Sequence, residues 1–225
     1  MTNAHYLVID TASEACSVAL CNPKTGFCPT VEANGENPHA SQLTLLIQSL
    51  LTEHHLNASE LAGIIVNKGP GSYTGLRIGV STAKAIAYTA HLPLYGFSGL
   101  DALVKTEPTP PNYLALAVLD ARLGNFYLAS NLTNASLPQF ITLADYPLLF
   151  NLMAQYTQTQ LIGTAPQEFL DMAAQRQDLQ LHYLPQNVTA ATLAHALPYL
   201  ELTNELHTLV PMYINPPKIT VSKKA

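Results

Sequence analysis

The chain opens on two short apolar runs, Tyr6–Asp10 and Cys16–Cys21, the first closing on an acid. A turn, Asn22-Pro-Lys-Thr-Gly26, leads to a third run from Phe27 onward. Apolar runs of this length, bounded by turn residues, predict strands, and three in succession predict a β-meander. Just past Pro38 the period changes. From about His39 to His55, Leu43, Leu46, Ile47, Leu50 and Leu51 fall at i, i+3, i+4, i+7 and i+8, which predicts a helix. Leu61–Asn67 reads as a buried strand, broken by Gly69-Pro-Gly71. Tyr73 to Ala90 reads as a second helix, and Leu92–Tyr95 as one more strand.

Glu107-Pro-Thr-Pro-Pro111 has the composition of a linker. Beyond it the opening pattern returns. Tyr113–Leu119 is apolar and ends in Asp120, a short turn follows, and Phe126–Ala129 forms a return strand. This repeat has a far longer period than a solenoid. It predicts two similar α/β lobes, over residues 1–106 and 107–225. In the second half, Leu143–Thr157, Pro166–Gln175 and Thr189–Tyr199 read as helices and Gln160–Gly163 as a strand. A tail from about residue 215 is expected to be loosely ordered or to pack back on the first lobe.

Composition narrows the function. The 225 residues are 48% hydrophobic and 11% charged, enough to bury a substantial core and to exclude a disordered chain. The net charge is −5 and the ten Lys and Arg are scattered, so a direct grip on nucleic acid is not expected. Cys16, Cys21 and Cys28 are too few for a disulfide framework or a Cys-only metal site, and read as buried thiols. The N-terminus has no charged segment ahead of a long apolar run, and no run approaches a membrane span. A cytoplasmic protein without membrane contact is the expectation.

The candidate chemistry lies in the strand-to-helix turn Lys68-Gly-Pro-Gly-Ser72. With Gly69 and Gly71 it reads either as an anion or partner loop on a helix N-terminus, or as a tight turn with Ser72 as N-cap. It lacks P-loop spacing. Asp10-Thr11 and Asp120 end strands; there an acid either holds a nucleotide-bound magnesium or caps local N–H groups. The loop Thr11-Ala-Ser-Glu-Ala15 has no glycine, which weighs against a close phosphate cradle. Gly71, Gly75, Gly79, Ala83 and Ala87 recur every fourth residue, a small-residue face that packs either on the protein's own sheet and first helix or on another chain's helix. There is no His-x-x-x-His and no Gly-x-Ser-x-Gly, hence no catalytic or metal constellation is assigned.

Several segments together resemble the TsaB (YeaZ) family: Leu7-Val-Ile-Asp-Thr11 with Ser17-Val-Ala-Leu20, Asn67-Lys-Gly-Pro-Gly-Ser-Tyr-Thr-Gly-Leu-Arg-Ile-Gly79, Leu119-Asp-Ala-Arg122 with Tyr127, and Pro211-Met-Tyr213. His39 ahead of Leu43 looks like that family's first-helix entry. Asn215 stands where the family often has an arginine. The resemblance implies a two-lobed actin, Hsp70 and sugar-kinase-like fold, a duplicated ribonuclease H-like unit. It also implies a non-catalytic partner of TsaD in tRNA threonylcarbamoyladenosine biosynthesis, with TsaE in a larger complex and a homodimer when alone. TsaD-like proteins carry a His-x-x-x-His metal site, but the matching stretch here, Gly96–Leu103, has no histidine. No cofactor is expected in this chain alone, ATP and magnesium belong to the complex, and tRNA is met only indirectly. His39, Leu43, Leu46, Leu50, Gly75, Gly79, Ala83 and Ala87 are the expected partner face. Asp10, Thr11, Gly69, Gly71, Ser72 and Asp120 are the candidate nucleotide or anion loop. The alternatives are an ATPase or phosphotransferase of the same fold, and more weakly a glycoprotease-like peptidase.

Overall fold

The computed structural model describes residues 5–35, 38–106, 110, 112–132, 139–199 and 203–214. Strands β1 (Tyr6–Asp10), β2 (Cys16–Cys21) and β3 (Thr30–Ala33) form the meander. Helix α1 (Pro38–Glu53) leads to β4 (Gly63–Asn67), α2 (Tyr73–Thr89) to β5 (Leu94–Phe97), and α3 (Gly99–Thr106) leaves the sheet. The second half repeats this with β6 (Tyr113–Asp120), β7 (Phe126–Ser130), β8 (Gln139–Ile141), α4 (Tyr146–Met153), β9 (Gln158–Thr164), α5 (Gln167–Ala174), β10 (Leu181–Pro185) and α6 (Ala190–Ala196).

The sheets run β3-β2-β1-β4-β5 and β10-β9-β6-β7-β8, the same order read from opposite edges. In each, the first strand is antiparallel to the second and parallel to the fourth, with Asp10 opposite Ser17 and Asp120 opposite Phe126. The expected duplicated, two-lobed actin-like fold is therefore present.

Crossover helices explain why the strands read as unbroken apolar runs: both faces are covered. Leu7, Ile9, Ile64 and Val66 pack under α1 and α2 through Leu43, Ile47, Leu50 and Ala83. Val8, Ala19 and Ile65 face the opposite way, onto Leu193 and Ala194 of α6. In the second lobe, Leu116, Val118 and Phe126 meet Tyr146, Phe150 and Phe169 of α4 and α5, while Ala117, Ala129 and Ile162 meet Leu100 and Leu103 of α3. Each lobe's last helix thus covers the other lobe's sheet, across the boundary expected at residues 106 and 107. Ala102 of α3 joins the α6 cluster, so the two helices form a shared middle layer.

The segment 203–214 also returns to the first lobe. Glu205 N donates to Leu94 O (2.7 Å), Met212 N to Lys68 O (2.6 Å), and Lys68 pairs with Glu205 at 3.1 Å. Leu209 is buried in the first-lobe core. Asn215 and the tail beyond it, like most of the proline-rich linker, lie outside the described residues.

Candidate functional site

The lobes carry matching strand ends, those of the second lobe lining a cleft and those of the first buried beside it. In the first, Asp10 ends β1 and Asn67 ends β4; Asn67 Nδ2 donates to Asp10 Oδ1 at 2.7 Å. In the second, Asp120 ends β6 and Thr164 ends β9; Asp120 N donates to Thr164 Oγ1 at 3.1 Å. The environments differ. Asp10 is fully buried and Asp120 is exposed. Asp10 Oδ1 also accepts from Ala12 N (3.2 Å), and Oδ2 meets no donor. Asn67 Oδ1 in turn accepts from Gly69 N (3.0 Å) and Gly99 N (3.1 Å), tying β4 to the glycine turn and to α3. This hub was not singled out in the sequence; its signal is a polar residue closing an apolar strand, repeated by Thr164.

Burial pushes the Asp10 carboxyl up from 3.8 to about 6, against the lowering effect of the Asn67 and Ala12 hydrogen bonds. Between those values the folded chain keeps a proton that the unfolded chain releases. Stability therefore falls as pH rises from about 4 to about 6 and stays lower above it. Asp10→Asn preserves the Oδ1 acceptor and removes the charge. It is expected to flatten this slope and add on the order of 1–3 kcal/mol at neutral pH. Urea unfolding across that range checks it; an unchanged slope would assign the pH dependence elsewhere.

The glycine turn is consumed by its own chain. Ser72 N donates to Ala12 O (2.7 Å), and Ser72 Oγ accepts from Gly75 N (3.2 Å) as the α2 N-cap. A Cβ on Gly71 would stand 2.3 Å from Ala12 O, so only glycine allows that approach. Gly69 turns toward Met212 O of the returning segment. Thr11 is buried, and its Oγ1 donates to Gly75 O at 2.8 Å. Of the amides at this turn, Ser72 N is taken by the β1–β2 loop and Gly75 N by the Ser72 cap, which leaves less of the helix start open to an anion.

Between the lobes lies a cleft of about 780 Å3, reached by His39, Gly71, Ser72 and Asp120 but not by Asp10 or Gly69. Glu14, Glu32 and Asp120 line it, with Arg122 as its one cation among the described residues. Arg122 Nη2 approaches Glu14 Oε1 at 3.5 Å across the cleft, joining the equivalent loops of the two lobes. Both side chains are largely exposed, so this pair adds little stability. Burial pushes the His39 pKa down and the Tyr127 pKa up. No group of three His, Cys, Asp or Glu side chains stands close enough to hold a metal among the described residues.

The expected partner face needs correction. Leu43, Leu50, Gly75, Gly79, Ala83 and Ala87 are buried within this chain, Leu46 is half-buried, and His39 lines the cleft. The small-residue stripe packs inward because Thr11 fills it: a Cβ on Gly79 would lie 2.2 Å from Thr11 Oγ1. The outward faces of α1 and α2 carry other residues. Leu45 is 55% exposed and Tyr88 68% exposed. Between the helices runs a groove of about 340 Å3, lined by Ile47, Gln48, Leu51, Leu56 and Ile86 among others, without a charged residue.

The model of the TsaD family, tRNA N6-adenosine threonylcarbamoyltransferase, matches residues 12–145. This chain belongs to the TsaD family. Within it, the resemblance to TsaB (YeaZ) is borne out. TsaB of Escherichia coli is 36% identical over 129 residues, covering 55% of this chain and 53% of that protein. TsaB of Bacillus subtilis is 32% identical over 121 residues, covering 54% and 52%. The chain spans about half the length of these curated relatives. YeaZ of Pseudomonas aeruginosa shares the fold, with a TM-score of 0.65 and 23% identity over 93% of this chain and 99% of that one. So does a P. aeruginosa protein described as similar to the peptidase YeaZ, with a TM-score of 0.73 and 22% identity over 94% and 100%. No helix among the described residues is long and apolar enough to cross a membrane.

Proposed function

We propose that this chain is a non-catalytic scaffold in threonylcarbamoylation of the adenosine beside the tRNA anticodon. It pairs with TsaD and, through that pair, joins a larger complex with TsaE. One observation carries the non-catalytic reading. The glycine turn ahead of the helix is closed onto the chain's own β1–β2 loop, with Ser72 N donating to Ala12 O and no room for a side chain between Gly71 and Ala12. The cleft beside it holds three carboxylates against one guanidinium, a field that disfavours a polyphosphate. Any ATP and magnesium belong to the assembled complex. Ser72 is an N-cap, so the peptidase reading draws no support from it.

The partner surface is the outward side of α1 and α2. On the outward side of α1, Leu45 and Gln48 stand clear of charge until Glu53, and on α2 the exposed Tyr88 follows Lys84 by one turn. Interface cores are depleted in charge and enriched in aromatic residues. In the absence of TsaD, the same face pairs with a second copy.

Reconstituted tRNA modification tests the reading. With TsaD and TsaE from the same source, omitting this chain is expected to abolish product, and the chain alone is expected to form none. Product formed at full rate without it would reject a scaffold role. Mg-ATP turnover by the chain alone, lost in Asp10→Asn, would favour the ATPase reading instead.

A further inference from the structure

Cys21 and Cys28 flank the turn at residues 22–27 and stand directly across from each other. Leu20 N donates to Pro29 O (3.0 Å) and Asn22 N to Phe27 O (2.8 Å). The Asn22–Phe27 bridge therefore extends the β2–β3 ladder to the turn. Between those two bonded pairs, Cys21 and Cys28 form the non-hydrogen-bonded pair. In that position Cα atoms sit about 4.5 Å apart and side chains are closest. Disulfides span Cα separations of about 4.4–6.8 Å. Both thiols lie on the sheet face that packs against α6. Cys16 is on the opposite face, in the α1–α2 core, so the sheet separates it from the pair. Cys21 is buried, whereas Cys28 is half-buried and nearer solvent.

We propose that Cys21 and Cys28 are a reactive thiol pair that peroxide converts to an intramolecular, cross-strand disulfide. The Cys28 thiolate attacks one peroxide oxygen and the O–O bond breaks. Cys28 becomes a sulfenic acid, and hydroxide leaves to take up a proton as water. The Cys21 sulfur then attacks the Cys28 sulfur. The S–S bond forms, and the sulfenic oxygen leaves with the Cys21 proton as a second water. A dithiol reductant restores both thiols and is itself oxidised to its disulfide. The division of roles follows from burial and from the pairing of the thiols. The adjacent Cys21 thiol favours the Cys28 thiolate and holds its pKa below the usual thiol value, while Cys21 is pushed up.

The test uses the full chain, reduced and then treated with hydrogen peroxide. Thiols counted after denaturation are expected to fall from three to one. Trypsin cleaves after Lys24, between the two cysteines, so segments 1–24 and 25–68 should stay joined until dithiothreitol is added. Cys16→Ala should give the same linked pair, which assigns Cys21 rather than Cys16. Cys28→Ser should keep both remaining thiols. Oxidation should raise Tm by about 4–8 °C, because the bridge restrains the unfolded chain. Three free thiols after peroxide would overturn the proposal. So would a link that requires Cys16, a link between two chains, or oxidation of Cys28 to sulfinic acid with Cys21 left free.

Discussion

Gly79→Leu is expected to destabilise the first lobe strongly. The glycine sits on α2 where the helix crosses the end of β1, and a Cβ there would overlap the Thr11 hydroxyl at 2.2 Å. At Gly75 the overlap would be with the Thr11 backbone carbonyl, at 2.0 Å. Thr11 cannot retreat, because its hydroxyl bonds Gly75 O and the neighbouring Asp10 is held by Asn67. A leucine adds several more carbons to a filled site. Overpacking of this kind costs about 1–3 kcal/mol per misfit, and displacing the Thr11 bond adds to it. A total on the order of 4 kcal/mol would lower Tm by more than about 8 °C. Thermal unfolding followed by circular dichroism reads this directly. A Tm within a few degrees of the parent, with partner binding lost, would make the stripe an open surface after all.

Phe169→Ala is expected to be the most damaging single truncation in the second lobe. Phe169 is fully buried in α5. Its ring lies 5.1 Å from Phe126, 4.9 Å from Tyr146 and 5.0 Å from Phe150, so one side chain joins β7 to both outer helices. Removing a buried aromatic ring costs about 3–5 kcal/mol, from lost burial plus the cavity left behind. The Tm should drop by roughly 6–20 °C. Tyr146 also donates to Gly124 O in the loop after Asp120, so loosening the cluster should be felt at the cleft rim. A loss below about 1 kcal/mol would mean that the second-lobe core does not depend on this cluster.

The fold was legible because its strands are buried on both faces. Leu7-Val-Ile and Leu114–Leu119 show this as unbroken apolar runs, and the terminal acids Asp10 and Asp120 mark the repeat. Long helices with a full period, α1 and α2, were also plain. Three elements were not. Helix α3 is eight residues long and starts on a glycine, too short for its Leu100, Ala102 and Leu103 to establish a period. Strand β10 is an edge strand, half-buried and ended by Pro185, and β8 has three residues. The exchange of α3 and α6 between lobes is a long-range arrangement that no local pattern encodes.

The site was legible in part. Asp120, Ser72 and Gly71 do reach the cleft, but Asp10 lies beneath it and Gly69 faces the returning segment. The small-residue stripe on α2 had two physical readings, a close neighbour within the chain or one outside it. Spacing alone does not separate them. What decided it is Thr11, placed against the stripe by the parallel pairing of β1 and β4. Glu14, Arg122 and Asn187 enter the same cleft only because the two lobes face each other.

The scaffold role is tested most directly by light scattering after gel filtration of the chain mixed with TsaD from the same source. The parent chain is expected to elute with TsaD as one species of combined mass. Leu45→Glu with Tyr88→Glu, both on the outward face of α1 and α2, should elute apart from TsaD with the parent Tm unchanged. Co-elution of that variant at full yield would move the contact off this face. Separate elution of the parent chain, with or without ATP and TsaE, would contradict the scaffold reading itself.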